Sequence, residues 1–220
     1  MKTNAELQKD VQDAIKWEPL LNSAEIGVTA KDGVVSLTGV VDSFSKKAEA
    51  EAATKKIKGV KAIVENIEVN FPNSYNKSDL DIANEVLLAL KSNGSFPDGK
   101  VTVVVEGGCV TLGGELNWNY EKESAKNSLH LLPGIKAIIN HIKIKSDVHD
   151  AIEKKDIENA LRSSLIEDSD IRVSVEETVV TLEGTVNSLY AKEEAGLIAW
   201  KAPGIWKVRN KLEVDYEYAF

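Results

Sequence analysis

Three stretches of this 220-residue chain carry one signature: Val35-Ser36-Leu37-Thr38-Gly39, Val110-Thr111-Leu112-Gly113-Gly114 and Val180-Thr181-Leu182-Glu183-Gly184. Each is followed 20 residues on by a second glycine and an apolar residue: Gly59-Val60, Gly134-Ile135 and Gly204-Ile205. Seven residues beyond come Asn66-Ile67-Glu68-Val69, His141-Ile142-Lys143-Ile144 and Lys211-Leu212-Glu213-Val214. Upstream, Leu7/Val11/Ile15, Ile82/Val86/Leu90 and Ile157/Leu161/Leu165 recur at a step of 75. A repeat of this kind constrains the fold more tightly than any local motif, because each copy must solve the same packing problem. The chain therefore divides into three units: residues 1–72, 73–146 and 147–220. Units this small bury only about 60% of the surface their unfolded chains expose. They are expected to pack on one another rather than hang on long tethers.

Each unit is expected to open with a helix. Thr3-x-x-Glu6 and Ser78-x-x-Asp81 read as capping boxes, in which the hydroxyl takes a first-turn amide and the carboxylate returns to the cap amide. Apolar residues at 7, 11, 14 and 15, at 80, 83, 86, 87 and 90, and at 157, 160, 161 and 165 give each helix an apolar face. Pro19 and Gly94 suit the ends of the first two. Alternation at Ile26/Val28, Val101/Val103 and Ile171/Val173 predicts strands leading into hairpins. Asp32-Gly33 and Gly107-Gly108 supply the positive φ of tight turns, while Glu176-Glu177-Thr178 leaves the third turn type open. A second helix follows, with Asp42, Asn117 and Asn187 as expected N-caps and Ala50, Ala125 and Ala195 against the sheet. Gly59, Gly134 and Gly204 suit the left-handed position after it. A final strand closes each unit (62–69, 136–144 and 206–214). The expected fold class is α+β, three tandem αββαβ sandwiches, each a small three-stranded mixed sheet with two helices on one face.

Phe71 to Lys77 reads as a short linker. Ser146 to Lys155 reads as either a linker or the start of a longer helix capped by Asp147 or Asp150. The aromatic ending Tyr216-Glu217-Tyr218-Ala219-Phe220 is expected to dock on a neighbouring unit or chain.

The Val-x-Leu-x-Gly hairpin end, the Gly-Val/Ile step and the closing Asn-x-Ile/Leu-x-Val resemble the BON domain. That family is named for bacterial osmotically inducible OsmY-type and nodulation proteins. The pattern covers nearly the whole chain, with mild departures at Gly113-Gly114 and Asn140-His141-Ile142. The resemblance implies a non-enzymatic module tied to osmotic and envelope stress, with binding to phospholipid surfaces proposed for the family. It also marks Gly39, Gly59, Gly114, Gly134, Gly184 and Gly204 as structural family glycines.

Charge narrows the partners. The net charge is −8, and residues 147–220 hold 16 acidic against 9 basic side chains, whereas 73–146 hold 8 of each. With no basic stripe, nucleic acid is not an expected partner. No run approaches the roughly 18–20 apolar residues of a membrane span. As written, the N-terminus shows no signal-peptide core. A cytoplasmic location is expected, or a periplasmic one if an export signal is missing from this chain.

No catalytic residue, cofactor loop or metal cluster is legible. The glycines around residues 107–114 bracket a strand rather than opening a helix, so they read as turn and strand end rather than a phosphate loop. His130, His141 and His149 lack metal-ligand spacing and read as solvated or locally paired. Cys109, the single cysteine, reads as a small buried hydrophobe.

Two features suggest a surface for anionic phospholipid or a protein partner. One is the aromatic set near the second-helix starts, including Trp118, Tyr120 and Tyr190, where free helix amides favour anions. The other is the cluster Lys46, Lys47, Lys55 and Lys56 with Lys58 and Lys61, worth roughly 1 kcal/mol per residue near an anionic membrane. Packing between units and a solvated helix face are the bland readings of the same residues. Lys47, Lys122 and Lys192 recur at one position, as a shared contact or as stems covering the helix flank. A scaffold or self-associating protein and a small-ligand or ion sensor remain the other functional classes, and the oligomeric state stays open.

Overall fold

The computed structural model describes residues 2–71, 77–145, 154–164, 170–202 and 204–215. The expectations for the two linkers and the aromatic C-terminus, and for His149 and Leu165, fall largely or wholly outside these residues. The first repeat runs α1 (Asn4–Trp17), β1 (Ile26–Lys31), β2 (Val34–Val41), α2 (Phe44–Lys55) and β3 (Ala62–Val69). The second runs α3 (Asp79–Asn93), β4 (Val101–Glu106), β5 (Cys109–Leu116), α4 (Asn119–Asn127), β6 (Ala137–Asn140) and β7 (Lys143–Ile144). The third runs α5 (Lys154–Arg162), β8 (Asp170–Glu176), β9 (Val179–Val186), α6 (Leu189–Trp200) and β10 (Lys207–Val214).

Three small mixed sheets result, each built around the strand that follows the hairpin turn. β1, β4 and β8 pair antiparallel with β2, β5 and β9, while β6, β7 and β10 run parallel to their partners. β3 lies on the other side of β2, with Lys61 N–H bonded to Gly33 at one end and Asn70 N–H to Val41 at the other. Buried Val35/Leu37, Val110/Leu112 and Val180/Leu182 alternate inward along the central strands. The period-2 alternation then turns Cys109 outward. It is exposed, which corrects the expectation of a buried thiol.

The two capping boxes form as expected, with Thr3 and Glu6, and Ser78 and Asp81, exchanging both bonds. Gly94 ends α3 in the left-handed conformation. The starts of α1 and α3 also brace the hairpin turns: Asn4 accepts from the Asp32 N–H, and the Asp79 carboxylate from those of Gly107 and Gly108. Asp32 and Gly33 both take positive φ, as do Gly107 and Gly108. The third turn holds only Glu177 at positive φ (52°), so it belongs to a different turn type.

Gly39, Gly114 and Gly184 explain the first recurrent glycine. Their φ values are 139°, 113° and 126°. A Cβ on them would lie 2.0, 2.1 and 1.8 Å from the carbonyl oxygens of Glu25, Lys100 and Asp170. The hairpin strands meet too closely there for a side chain. The second set departs from expectation. α2 ends at Lys55, α4 at Asn127 and α6 at Trp200, so Gly59, Gly134 and Gly204 lie in the turn before the closing strand. Their φ values stay positive, and each delivers a buried Val60, Ile135 or Ile205 to the core.

The closing strands share a device the repeat alignment did not reveal. Glu65, Asn140 and Asn210 each accept from the backbone N–H two residues on, at Ile67, Ile142 and Leu212. Asn140 and Asn210 also donate to the carbonyls of Lys122 and Lys192, at 3.1 and 2.6 Å. The bond is to the backbone of the recurrent lysine position, so it holds that position in two repeats without depending on the lysine side chain.

The chain forms two compact units. One comprises residues 1–39, 49–67 and 148–220, and the other 40–48 and 68–147.

Candidate functional site

The second-helix starts are set one residue later than the sequence suggests. Ser188 caps α6, its hydroxyl accepting from Ala191 N–H at 3.1 Å, and Ser43 Oγ lies 3.4 Å from Lys46 N before α2. Asp42, Asn117 and Asn187 precede the caps. A serine hydroxyl closes the same hydrogen-bonded ring as Asp or Asn, so the composition of these segments did not discriminate the register. The second repeat has Trp118 in the cap position, which offers no acceptor. Glu121 instead returns its buried carboxylate to the Asn117 N–H and Trp118 N–H just before the helix, both at 2.9 Å. That carboxylate places a negative charge at the start of α4, which opposes an external anion there.

The lysines sit in compensated surroundings. Lys46 pairs with Asp42 at 2.9 Å, and Lys56 approaches Glu18 at 3.9 Å. Lys55 lies between Glu51 and Glu193, at 2.9 and 2.8 Å. Its bond to the Lys46 ammonium holds the Asp42 carboxyl below the ordinary aspartate range. Burial alone would lower the Lys55 pKa, but its bonds to Glu193 and Glu51 outweigh that and raise it. Lys47 is half-buried on α2. The structure thus brings Lys46, Lys55 and Lys56 to carboxylates rather than leaving them as an open cationic field.

Tyr120 and Tyr190 are exposed, whereas Trp118 is half-buried. Trp118 and Tyr120 stack with ring centroids 6.4 Å apart, and Tyr120 is 60% exposed. Tyr190 is exposed at the equivalent start of α6.

A further apolar surface went unrecognised in the helical pattern. α3 buries Ile82, Val86 and Leu90, while Leu80, Leu87 and Leu88 are 71%, 52% and 64% exposed. Leu80 and Leu87 were expected on the inner face. The helix carries leucines on two faces, which a single-stripe reading merges. Aligning the repeats at the step of 75 supplies the missing signal. The first repeat has Ala5, Gln12 and Asp13 at these positions, and the third has Lys155, Arg162 and Ser163. Leu87 also borders a cavity of about 250 Å³ walled by Leu90, Phe96 and Val101, with Lys91 and Asp98 at its edge.

Among the described residues no group of three or more His, Cys, Asp or Glu is placed to hold a metal ion, and no helix is long and apolar enough to cross a membrane.

Comparison with known proteins matches the BON domain family model three times, at residues 3–70, 78–146 and 149–216. The osmotically inducible protein Y of Escherichia coli K12 is 24% identical over 129 residues, which is 57% of this chain and 64% of that protein. Similar solved structures include the C-terminal domain of CdsD, a structural protein of the type III secretion system of Chlamydia trachomatis. It is 19% identical, spans 97% of this chain and all of its own, and has a TM-score of 0.26. A second CdsD structure, also 19% identical, spans 94% of this chain and 91% of its own with a TM-score of 0.24.

Proposed function

The chain belongs to the BON domain family, and from that premise we propose that it is a non-catalytic stress-response protein whose middle repeat docks a protein partner. The observation that carries this reading is the leucine face of α3, present in one repeat and replaced by Ala, Gln, Asp, Lys, Arg and Ser in the others. A structural requirement of the fold would recur in all three copies. Fully burying a leucine side chain contributes about 1.5–3 kcal/mol, so three leucines and an adjoining apolar cavity can anchor a partner. Exposed Tyr120 and half-buried Trp118 add aromatic surface of the kind enriched in such contacts.

Anionic phospholipid is the less favoured occupant, because Lys46, Lys55 and Lys56 face carboxylates and Glu121 takes the amides before α4. A stress-response role rests on the similarity to the osmotically inducible protein.

A photo-crosslinking residue at Leu87, tested in cells at high osmolarity, is expected to yield a discrete protein adduct. The same probe at Gln12, the equivalent position of the first repeat, serves as the control. Replacing Leu88 by Asp should abolish the Leu87 adduct while leaving the circular dichroism spectrum unchanged. Equal crosslinking at both positions would overturn the reading. So would binding to phosphatidylglycerol vesicles, absent with phosphatidylcholine and lost as salt rises.

A further inference from the structure

Residues 42–45 belong to the same compact unit as the second repeat. They lie beside the turn after α4, where Ser45 Oγ donates to the His130 carbonyl oxygen at 2.6 Å. The Phe44 ring meets the His130 ring edge to face, with centroids 5.4 Å apart and planes at 80°. Phe44 also packs on the second repeat's core, alongside Leu132. A cavity of about 250 Å³ remains, walled chiefly by Phe44, Phe71, Leu132 and Pro133.

His130 corrects the expectation that the histidines are solvated or locally paired. Its Nε2 is buried and has no hydrogen-bond partner. A neutral imidazole tolerates that position at modest cost. An imidazolium is disfavoured, because the half-buried ring would carry its charge with the Nε2 edge shut away from water and unpartnered. We infer that His130 is a proton-operated latch, in which protonation of the ring releases residues 42–45 from the turn and exposes the Phe44 face.

The charged groups around the ring do not cancel the effect. From α4, Lys126 opposes protonation and Glu123 favours it. Burial acts first in the same sense as Lys126, so the net displacement of His130 is below the ordinary histidine value. From the α2 side come Asp42 and Lys46, which neutralise one another at 2.9 Å. Residues 131–133 and Phe71 are uncharged. The released state accepts a proton more readily than the closed one, so the closed state is favoured above about pH 6.5. It is progressively lost as the pH falls through that value towards the lower closed-state pKa. Each unit of separation between the two values changes the closing equilibrium by about tenfold.

The test is carried out on the full chain by NMR. The His130 ring is titrated between pH 8 and 5, and hydrogen exchange, corrected for intrinsic rates, is followed at Lys46 and Lys47, whose N–H groups bond Ser43. Protection at these amides should fall by about threefold to tenfold on acidification, with the ring titrating below 6.5 and its cross-peaks to Phe44 disappearing together. A His130→Gln variant should show no such pH dependence. Equal acid sensitivity in that variant would refute the latch. Should the variant not fold, the wild-type titration still decides. A ring that titrates while its Phe44 cross-peaks and the Lys46 protection persist would overturn the proposal.

Discussion

Gly114→Ala is the most demanding test of the architecture. The φ of 113° is foreign to L-residues with a side chain, and holding alanine there costs about 1–3 kcal/mol. The added methyl would also lie 2.1 Å from the Lys100 carbonyl oxygen, a distance real Cβ atoms do not reach. The obstacle is backbone, so it cannot swing aside as a side chain would. β4 and β5 must part by about 1 Å at the Val101↔Gly114 pair, at the expense of a strand-end hydrogen bond worth about 1 kcal/mol. The expected total is about 3 kcal/mol. Gly99→Ala is the matched control: its φ of 77° carries the conformational cost, but nothing lies within 4 Å of the added Cβ. It should lose about 1 kcal/mol. Urea unfolding followed through resolved amide resonances of β4, β5 and β6 confines the reading to the second repeat. With a slope near 2 kcal/mol/M, the Gly114 variant should unfold about 1.5 M earlier than wild type. Equal midpoints for the two variants would show that close strand approach is not what the glycine serves.

Asn210→Ala removes a bond to the Lys192 carbonyl and one from the Leu212 N–H, and should cost about 1–3 kcal/mol in urea. Asn210→Asp keeps only the acceptor and should fall between. Hydrogen bonds from Thr3 and from Ser78 lower the pKa of Glu6 and Asp81 respectively, so both capping boxes contribute stability that is present above pH 4–5 and lost as the pH drops through the lowered values. Thr3→Ala and Ser78→Ala should flatten that acid limb in a pH series of thermal melts. Cys109 should react with a maleimide in the native state at a rate unaffected by low urea, whereas labelling only after unfolding would contradict its exposure.

The order of elements and the capping boxes were legible because they rest on periodicity and on side-chain chemistry confined to a few residues. Helix ends were less so. The 20-residue spacing to Gly59 encodes the start of the closing strand, and the helix stops several residues earlier. Asp42, Asn117 and Asn187 have the right chemistry for caps, but Ser43 and Ser188 share it one position later. The lysine cluster illustrates a deeper limit. Lys55 meets Glu193 from the third repeat, a pairing between residues far apart in the chain. His130 is the same kind of case, since its surroundings come from Phe44 and Phe71. The leucine face of α3 was accessible all along, by subtracting one repeat from the next rather than by reading a helix alone.

The central strand of each sheet takes one partner from the hairpin and the other from the far end of the repeat, which has a consequence during synthesis. When β2 leaves the ribosome, β1 can pair with it at once, but β3 is complete only roughly 30 residues later. At about 5–20 residues per second, one edge of Val34–Val41 stays open for roughly 1.5–6 s. The same interval recurs for β5 and β9, so a single polypeptide exposes three homologous edges in succession. Ribosome-bound chains halted within α2 are therefore the species most open to pairing with a neighbouring nascent chain.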